Sequence, residues 1–179
     1  IKIAVLEFSS GTRWITPAPM DADDFTWSFL TADGLTEFGA ACKQLNEKLS
    51  RKAFMSDVAG SFAPAIFLLS DGEPTDEYLD ELSKLKENNW FRKAIKVAVA
   101  IGEDANHDVL SQFTGNREAV LTVHTPEALT KMIRFVSVTA SQIGSKSSGV
   151  GKGGVDEAAN KQDEMIDKIN EVKAAELDD

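Results

Sequence analysis

The sequence predicts an α/β protein: a Rossmann-like open sheet, mostly parallel with one antiparallel edge strand, and helices on both faces. Two observations carry that expectation. Strand-sized apolar runs at Ile1–Phe8, Pro64–Leu69, Ile95–Ile101 and Ala119–Val123 alternate with stretches whose apolar residues recur at helical spacing. The runs are mainly apolar rather than alternating, the first with polar residues near its ends, as expected of strands buried on both faces of a sheet covered by helices. At 179 residues the chain suffices for one mid-sized domain with an appendage and is too short for two ordinary domains.

Taken in order, Ile1–Phe8 is the first strand. Ser9-Ser10-Gly11 turns the chain, and Arg13–Thr16 returns as a short strand, so this pair is a hairpin and supplies the antiparallel member. A Pro- and Asp-rich loop from Pro17 to Asp24 leads to the aromatic residues Phe25, Trp27 and Phe29. Such rings either offer a ligand surface or pin a loop to the core. From Thr36 to about Lys52 the stripe Phe38, Ala41, Cys42, Leu45, Leu49 predicts a helix. Pro64–Leu69 is a buried strand ended by Ser70-Asp71-Gly72, and Thr75 or Asp76 is placed to cap the next helix, with stripe Tyr78, Leu79, Leu82, Leu85. The strand Ile95–Ile101, a short helix around Val109, Leu110 and Phe113, the strand Ala119–Val123, and a long helix opened by Pro126 complete the alternation.

Composition narrows the function classes. The net charge of −10, from 29 acidic and 19 basic residues, disfavours a nucleic-acid partner. No apolar stretch reaches the length of a membrane span, and no basic-then-apolar leader is read at the start, so the expected compartment is the cytoplasm. The single cysteine, Cys42, excludes an intramolecular disulfide and falls on an apolar helix stripe, as a packed thiol would. His107 and His124 lie in separate later elements, leaving no partner to activate it.

Ligands of open α/β sheets bind beyond the carboxyl ends of the strands. Two polar segments fall there: Ser70-Asp71-Gly72-Glu73-Pro74-Thr75-Asp76 after a strand, and Asp33-Gly34-Leu35-Thr36 before a helix. Carboxylate and hydroxyl oxygens meeting above a sheet suit a hard cation such as Mg²⁺. Taken singly, Asp-Gly is a turn former and Thr a helix cap.

Together the segments resemble a family. The run Phe67–Asp76 is similar to the strand-to-loop motif of von Willebrand factor A domains, an apolar run followed by (S/T)DG. The segment Gly34–Ala41 is similar to the family's glycine-threonine loop opening a helix. The DG-x-P-T-D form and the closing helix Phe135–Ala140 further resemble bacterial cytoplasmic members associated with tellurium resistance. The resemblance covers residues 1 to about 148, and it implies a metal-ion-dependent adhesion site in which Thr36 and Asp71 are ligands. It also implies a partner-binding rim of Asp33, Gly34, Gly72 and Glu73, and a protein partner offering a carboxylate, with kinase-like or phosphatase-like proteins of the same system as candidates. The family's D-x-S-x-S ligands, and the central strand and helix that carry and follow them, are expected before Ile1. The metal, Mg²⁺ or Mn²⁺, is therefore expected to bind this chain weakly or not at all.

Two other functions compete. A small hydrolase or phosphate-handling enzyme would use Asp71, Glu73 and Asp76 as an acidic cluster, but no nucleophile or base accompanies them. The Gly- and Lys-containing stretch near residues 144–154 fails as a phosphate loop: Lys146 occupies the place of its first glycine, and Gly153 follows Lys152 where Ser or Thr is required. A metal-free scaffold is the third reading. The expected organisation is a domain over 1–143, a flexible linker over 144–156 and a C-terminal segment over 157–179. In that segment Met165, Ile166, Ile169 and Val172 share one helical face, either as a charged tail or as a helix that docks.

Overall fold

The computed structural model describes residues 1–28, 30–31, 33–56, 63–146 and 154–177. The chain forms two compact units, one of Ile1–Ser61 and Pro74–Asn88, the other of Phe62–Glu73 and Asn89–Asp179.

In the first unit, β1 (Lys2–Ile3) pairs antiparallel with β4 (Met20–Asp21), and β2 (Leu6–Ser9) forms a hairpin with β3 (Gly11–Trp14). The hairpin matches the expectation. The single strand over Ile1–Phe8 does not: it is broken at Ala4-Val5, Ile1 is exposed, and its residues are at most half-buried. Among the described residues the antiparallel strand pairs within its own two-stranded ribbon. Among the described residues these positions pair as ribbons, so a largely apolar run reports low polarity without reporting cover on two faces.

Helix α1 (Phe38–Lys48) lies against this hairpin and against α2 (Leu79–Glu87). Phe38 meets Phe8 and Tyr78 with ring centroids 6.4 and 5.7 Å away. Trp14 donates its Nε1–H to Gln44 Oε1 at 3.2 Å and stacks edge-on with Phe54. At the far end, the Asn88 amide, C-terminal to α2, donates to Asn46 Oδ1 at 2.9 Å and Leu49 O at 3.0 Å, tying the two helix ends together. Of the expected α2 stripe, Leu82 and Leu85 are buried, whereas Leu79, at the helix start, is 58% exposed. Phe25 and Trp27 stack on each other edge-on at 5.0 Å, but Trp27 is 66% exposed and does not pin the loop; Phe29 lies outside the described residues.

In the second unit, β5 (Ala65–Ser70), β6 (Ile95–Ile101) and β7 (Val120–Val123) form a parallel sheet in the order β5-β6-β7. Together the two units give a mixed α/β protein with a small parallel sheet. Ile95, Val97 and Val99 of β6 join Leu121 and Val123 of β7 on one face, beneath α5 (Pro126–Gly144) and α6 (Gly154–Leu177). Strand alternation turns the fully buried Ala98 and Ala100 to the other face. Helix α4 (His107–Thr114) also lies on β6 and β7, and none of its buried residues joins the first cluster. It opens on Asn106, whose side chain accepts from Val109 N–H at 3.0 Å, and closes on Gly115. Thr125 caps α5 the same way, with Pro126 in the first turn.

Helix α6 decides the fate of the C-terminal segment. It begins three residues before the expected start at 157, and the stretch 147–153 of the expected linker lies outside the described residues. Met165 and Ile169 are fully buried, Ile166 nearly so, and Val172 packs against the same core. The segment therefore docks on its own unit rather than forming a charged tail. Its polar residues fasten it: Lys173 reaches the carbonyls of Glu118 and Val120, and Lys146 pairs with Glu164. Gln162 makes the decisive contact. Its Oε1 accepts from Lys96 N–H at 2.8 Å and its Nε2–H donates to Lys96 O at 2.9 Å. Pairing between β6 and β7 begins only at Ala98, so the amide takes the place of a missing strand residue beside β6. The Lys96 side chain donates to Phe91 O and Ala94 O near the end of the short helix α3 (Asn89–Lys93). Burial there pushes its ammonium down to about 8.

Candidate functional site

The oxygen-rich segment after β5 divides into groups that are committed to the fold and groups that are not. In the second unit, Ser70 ends β5 and Gly72 follows within a bend. Glu73 accepts from Asn106 Nδ2–H at 2.7 Å, so its carboxylate fastens this loop to the residue that caps α4. Asp71 is exposed, and its carboxylate has neither a hydrogen bond nor an ion pair among the described residues.

In the first unit, Thr75 and Asp76 are both committed. Thr36 N–H donates to Thr75 Oγ1 at 3.1 Å, and Thr75 N–H returns a bond to Thr36 O at 2.9 Å. Asp76 lies across the start of α1, where Oδ1 accepts from Gly39 N–H and Oδ2 from Ala40 N–H, each at 2.9 Å. Neither Thr36 nor Glu37 supplies a side-chain cap to α1, so a carboxylate from far along the chain satisfies its unpaired amides and its positive dipole end. The expectation that Thr75 or Asp76 caps α2 is therefore wrong: α2 starts after Tyr78 without a side-chain cap.

The loop before α1 is held as firmly. Glu37 N–H donates to Ser9 O at 3.0 Å and Leu35 N–H to Ser10 Oγ at 3.0 Å. Gly34 has φ +88°, and a Cβ there would stand 2.6 Å from Ser10 Oγ, so its glycine has a structural cause. Asp33 is exposed beside it. Thr36 is half-buried, and its hydroxyl makes no hydrogen bond among the described residues.

Thr36 and Asp71 thus fall in different units, and each keeps an uncommitted oxygen. Carboxylate and hydroxyl oxygens are donors of the kind a hard cation takes, and such a cation requires about six or more of them. Among the described residues no group of three or more His, Cys, Asp or Glu side chains is gathered in a way that could hold a metal ion. The acidic cluster expected of an enzyme is dispersed by role: Asp71 is open, Glu73 holds Asn106, and Asp76 caps a helix. Cys42 is buried, and desolvation, with Asp76 and Glu81 nearby, pushes its thiol up to about 12. Burial and the raised thiol both disfavour nucleophilic attack near neutral pH.

The roles of Asp76, Asn106 and Gln162 escaped the sequence reading. Each acts on backbone groups distant in sequence or on a cap, and no periodicity marks them. No helix among the described residues is long and apolar enough to cross a membrane. What these features define is a mixed α/β protein built on a short three-stranded parallel sheet with polar loops at the strand ends. No protein-family model matches the chain, and comparison with curated proteins finds no match.

Proposed function

We propose that this chain is a non-catalytic, cytoplasmic protein-interaction module of the von Willebrand factor A type. In this reading Thr36 and Asp71 are metal ligands, and Asp33, Gly34, Gly72 and Glu73 form the rim a partner meets. The carrying observation is the division of oxygens: Thr75, Glu73 and Asp76 hold the fold, while the Thr36 hydroxyl and the Asp71 carboxylate have no partner among the described residues. Bound Mg²⁺ or Mn²⁺ would offer an open position to a carboxylate of the partner, adding a charge-assisted bond at the interface. Kinase-like or phosphatase-like proteins of a bacterial tellurium- or stress-resistance system are the partners this reading favours.

The finer fold assignment belongs to the same proposal. Strand β5 is apolar on both faces, the pattern of a central strand, yet among the described residues it pairs with β6 alone. A further parallel strand beside β5, carrying the remaining metal ligands, accounts for both facts.

Calorimetric titration with Mn²⁺ tests the site. Two chain ligands predict weak affinity, about millimolar, lost in Asp71→Ala and reduced in Thr36→Ala. Binding that survives Asp71→Ala overturns the assignment. No heat at several times that concentration favours the metal-free scaffold.

A further inference from the structure

We propose that one flank of α5 is a docking surface for an acidic amphipathic helix of a partner protein. Lys131, Arg134, Phe135, Val138 and Thr139 line a shallow groove of about 350 Å³ in the second unit. The first four stand at i, i+3, i+4 and i+7, so they form a single stripe along the helix. It borders the buried stripe of Met132, Val136, Ala140 and Ile143 that faces the sheet: Phe135 packs partly against that cluster and Thr139 is buried, so the exposed members of the groove are Lys131, Arg134 and Val138. Val138 is 52% exposed, a β-branched apolar side chain facing outward in the middle of a 19-residue helix.

Charge selects the occupant. Lys131 and Arg134 are exposed, and among the described residues neither makes an ion pair or a hydrogen bond. Glu127, one turn earlier, pairs with neither. Two unpartnered cations beside an apolar floor, in a chain of net charge −10, fit a segment with carboxylates flanking apolar anchors. Spacing over two helical turns matches a helix laid along α5, with its apolar i and i+4 side chains on Phe135 and Val138. Its acidic residues would then meet Lys131 and Arg134, where Arg can engage a carboxylate through two parallel bonds. This surface is separate from the metal site proposed above.

The test uses the full chain and synthetic helical peptides that share one leucine stripe and differ only in their flanks, Glu-rich, Gln-rich or Lys-rich, followed by fluorescence anisotropy. The Glu-rich peptide should bind best, and Lys131→Glu with Arg134→Glu should weaken it about tenfold or more and favour the Lys-rich peptide instead. Val138→Asp, an exposed change that leaves the core untouched, should weaken every peptide. Circular dichroism on each variant establishes that the fold is intact. Equal affinity for all flanks, indifference to the charge reversal, or no binding overturns the proposal. So does sedimentation showing self-association that Val138→Asp abolishes, since a second copy would then own the face. Titrations run in EDTA keep the proposed metal site empty, so failure here and failure of the metal site are read separately.

Discussion

Asp76 and Gly39 are in direct contact across the start of α1: Oδ1 accepts the Gly39 N–H at 2.9 Å, and a Cβ on Gly39 would stand 2.9 Å from Oδ2. The same Cβ would lie 2.8 Å from Tyr78 Cα, which is backbone and cannot swing away. The absence of a side chain at Gly39 lets the carboxylate approach the amides it caps.

Gly39→Ala should therefore invert the usual helix rule. Alanine in a helix normally gains up to about 1 kcal/mol over glycine. Here the overlap should produce a net loss of about 1–3 kcal/mol, read from urea unfolding of the variant against wild type.

Asp76→Ala removes the cap without overlap and should cost about 0.5–2 kcal/mol. Asp76→Asn should cost less, because its amide oxygen can still accept one of the two bonds. If both variants unfold at the wild-type urea midpoint, Asp76 does not support α1.

Gln162→Leu should free the Lys96 N–H and C=O that the amide now satisfies. Leaving those groups unpaired should cost about 1–3 kcal/mol each, and hydrogen exchange at the Lys96 amide should speed up. Met165→Ala, which opens a cavity beneath the same helix, should cost about 2–5 kcal/mol. A C-terminal segment that contributes nothing would leave the unfolding midpoint unchanged in both.

Cys42 should report on alkaline stability. Its thiol ordinarily titrates near 9.0 and is pushed up to about 12 in the fold. Between those values the unfolded chain has lost the proton that the folded chain keeps, so stability falls as pH rises above about 9. Lys96 acts in the opposite sense: burial lowers it to about 8, and the penalty fades as pH rises toward its ordinary 10.5. Measuring wild type minus Cys42→Ala cancels the lysine, and that difference should shrink from pH 9 upward. A difference independent of pH contradicts a buried, protonated thiol.

The sequence by itself determined the elements whose causes are local. Strand β6 spans the predicted Ile95–Ile101, α5 begins at the predicted Pro126, and the apolar stripe of α6 is the buried one. Periodicity and capping are set by bonds and neighbours within a few residues, so they can be read along the chain. Of the candidate site, the Thr36 and Asp71 side-chain oxygens were legible as polar groups flanking apolar elements. Only the tertiary structure decided which groups those oxygens and their neighbours meet. Asp76 caps a helix 37 residues upstream, and Gln162 completes a strand 66 residues away. Ile1–Phe8, mainly apolar like β6, pairs as ribbons instead of forming sheet interior. An apolar run states that water is unfavourable at those residues, and a carboxylate or amide states that a donor or acceptor is needed. The partner is chosen only when distant segments close on one another, through chain geometry that no local pattern encodes.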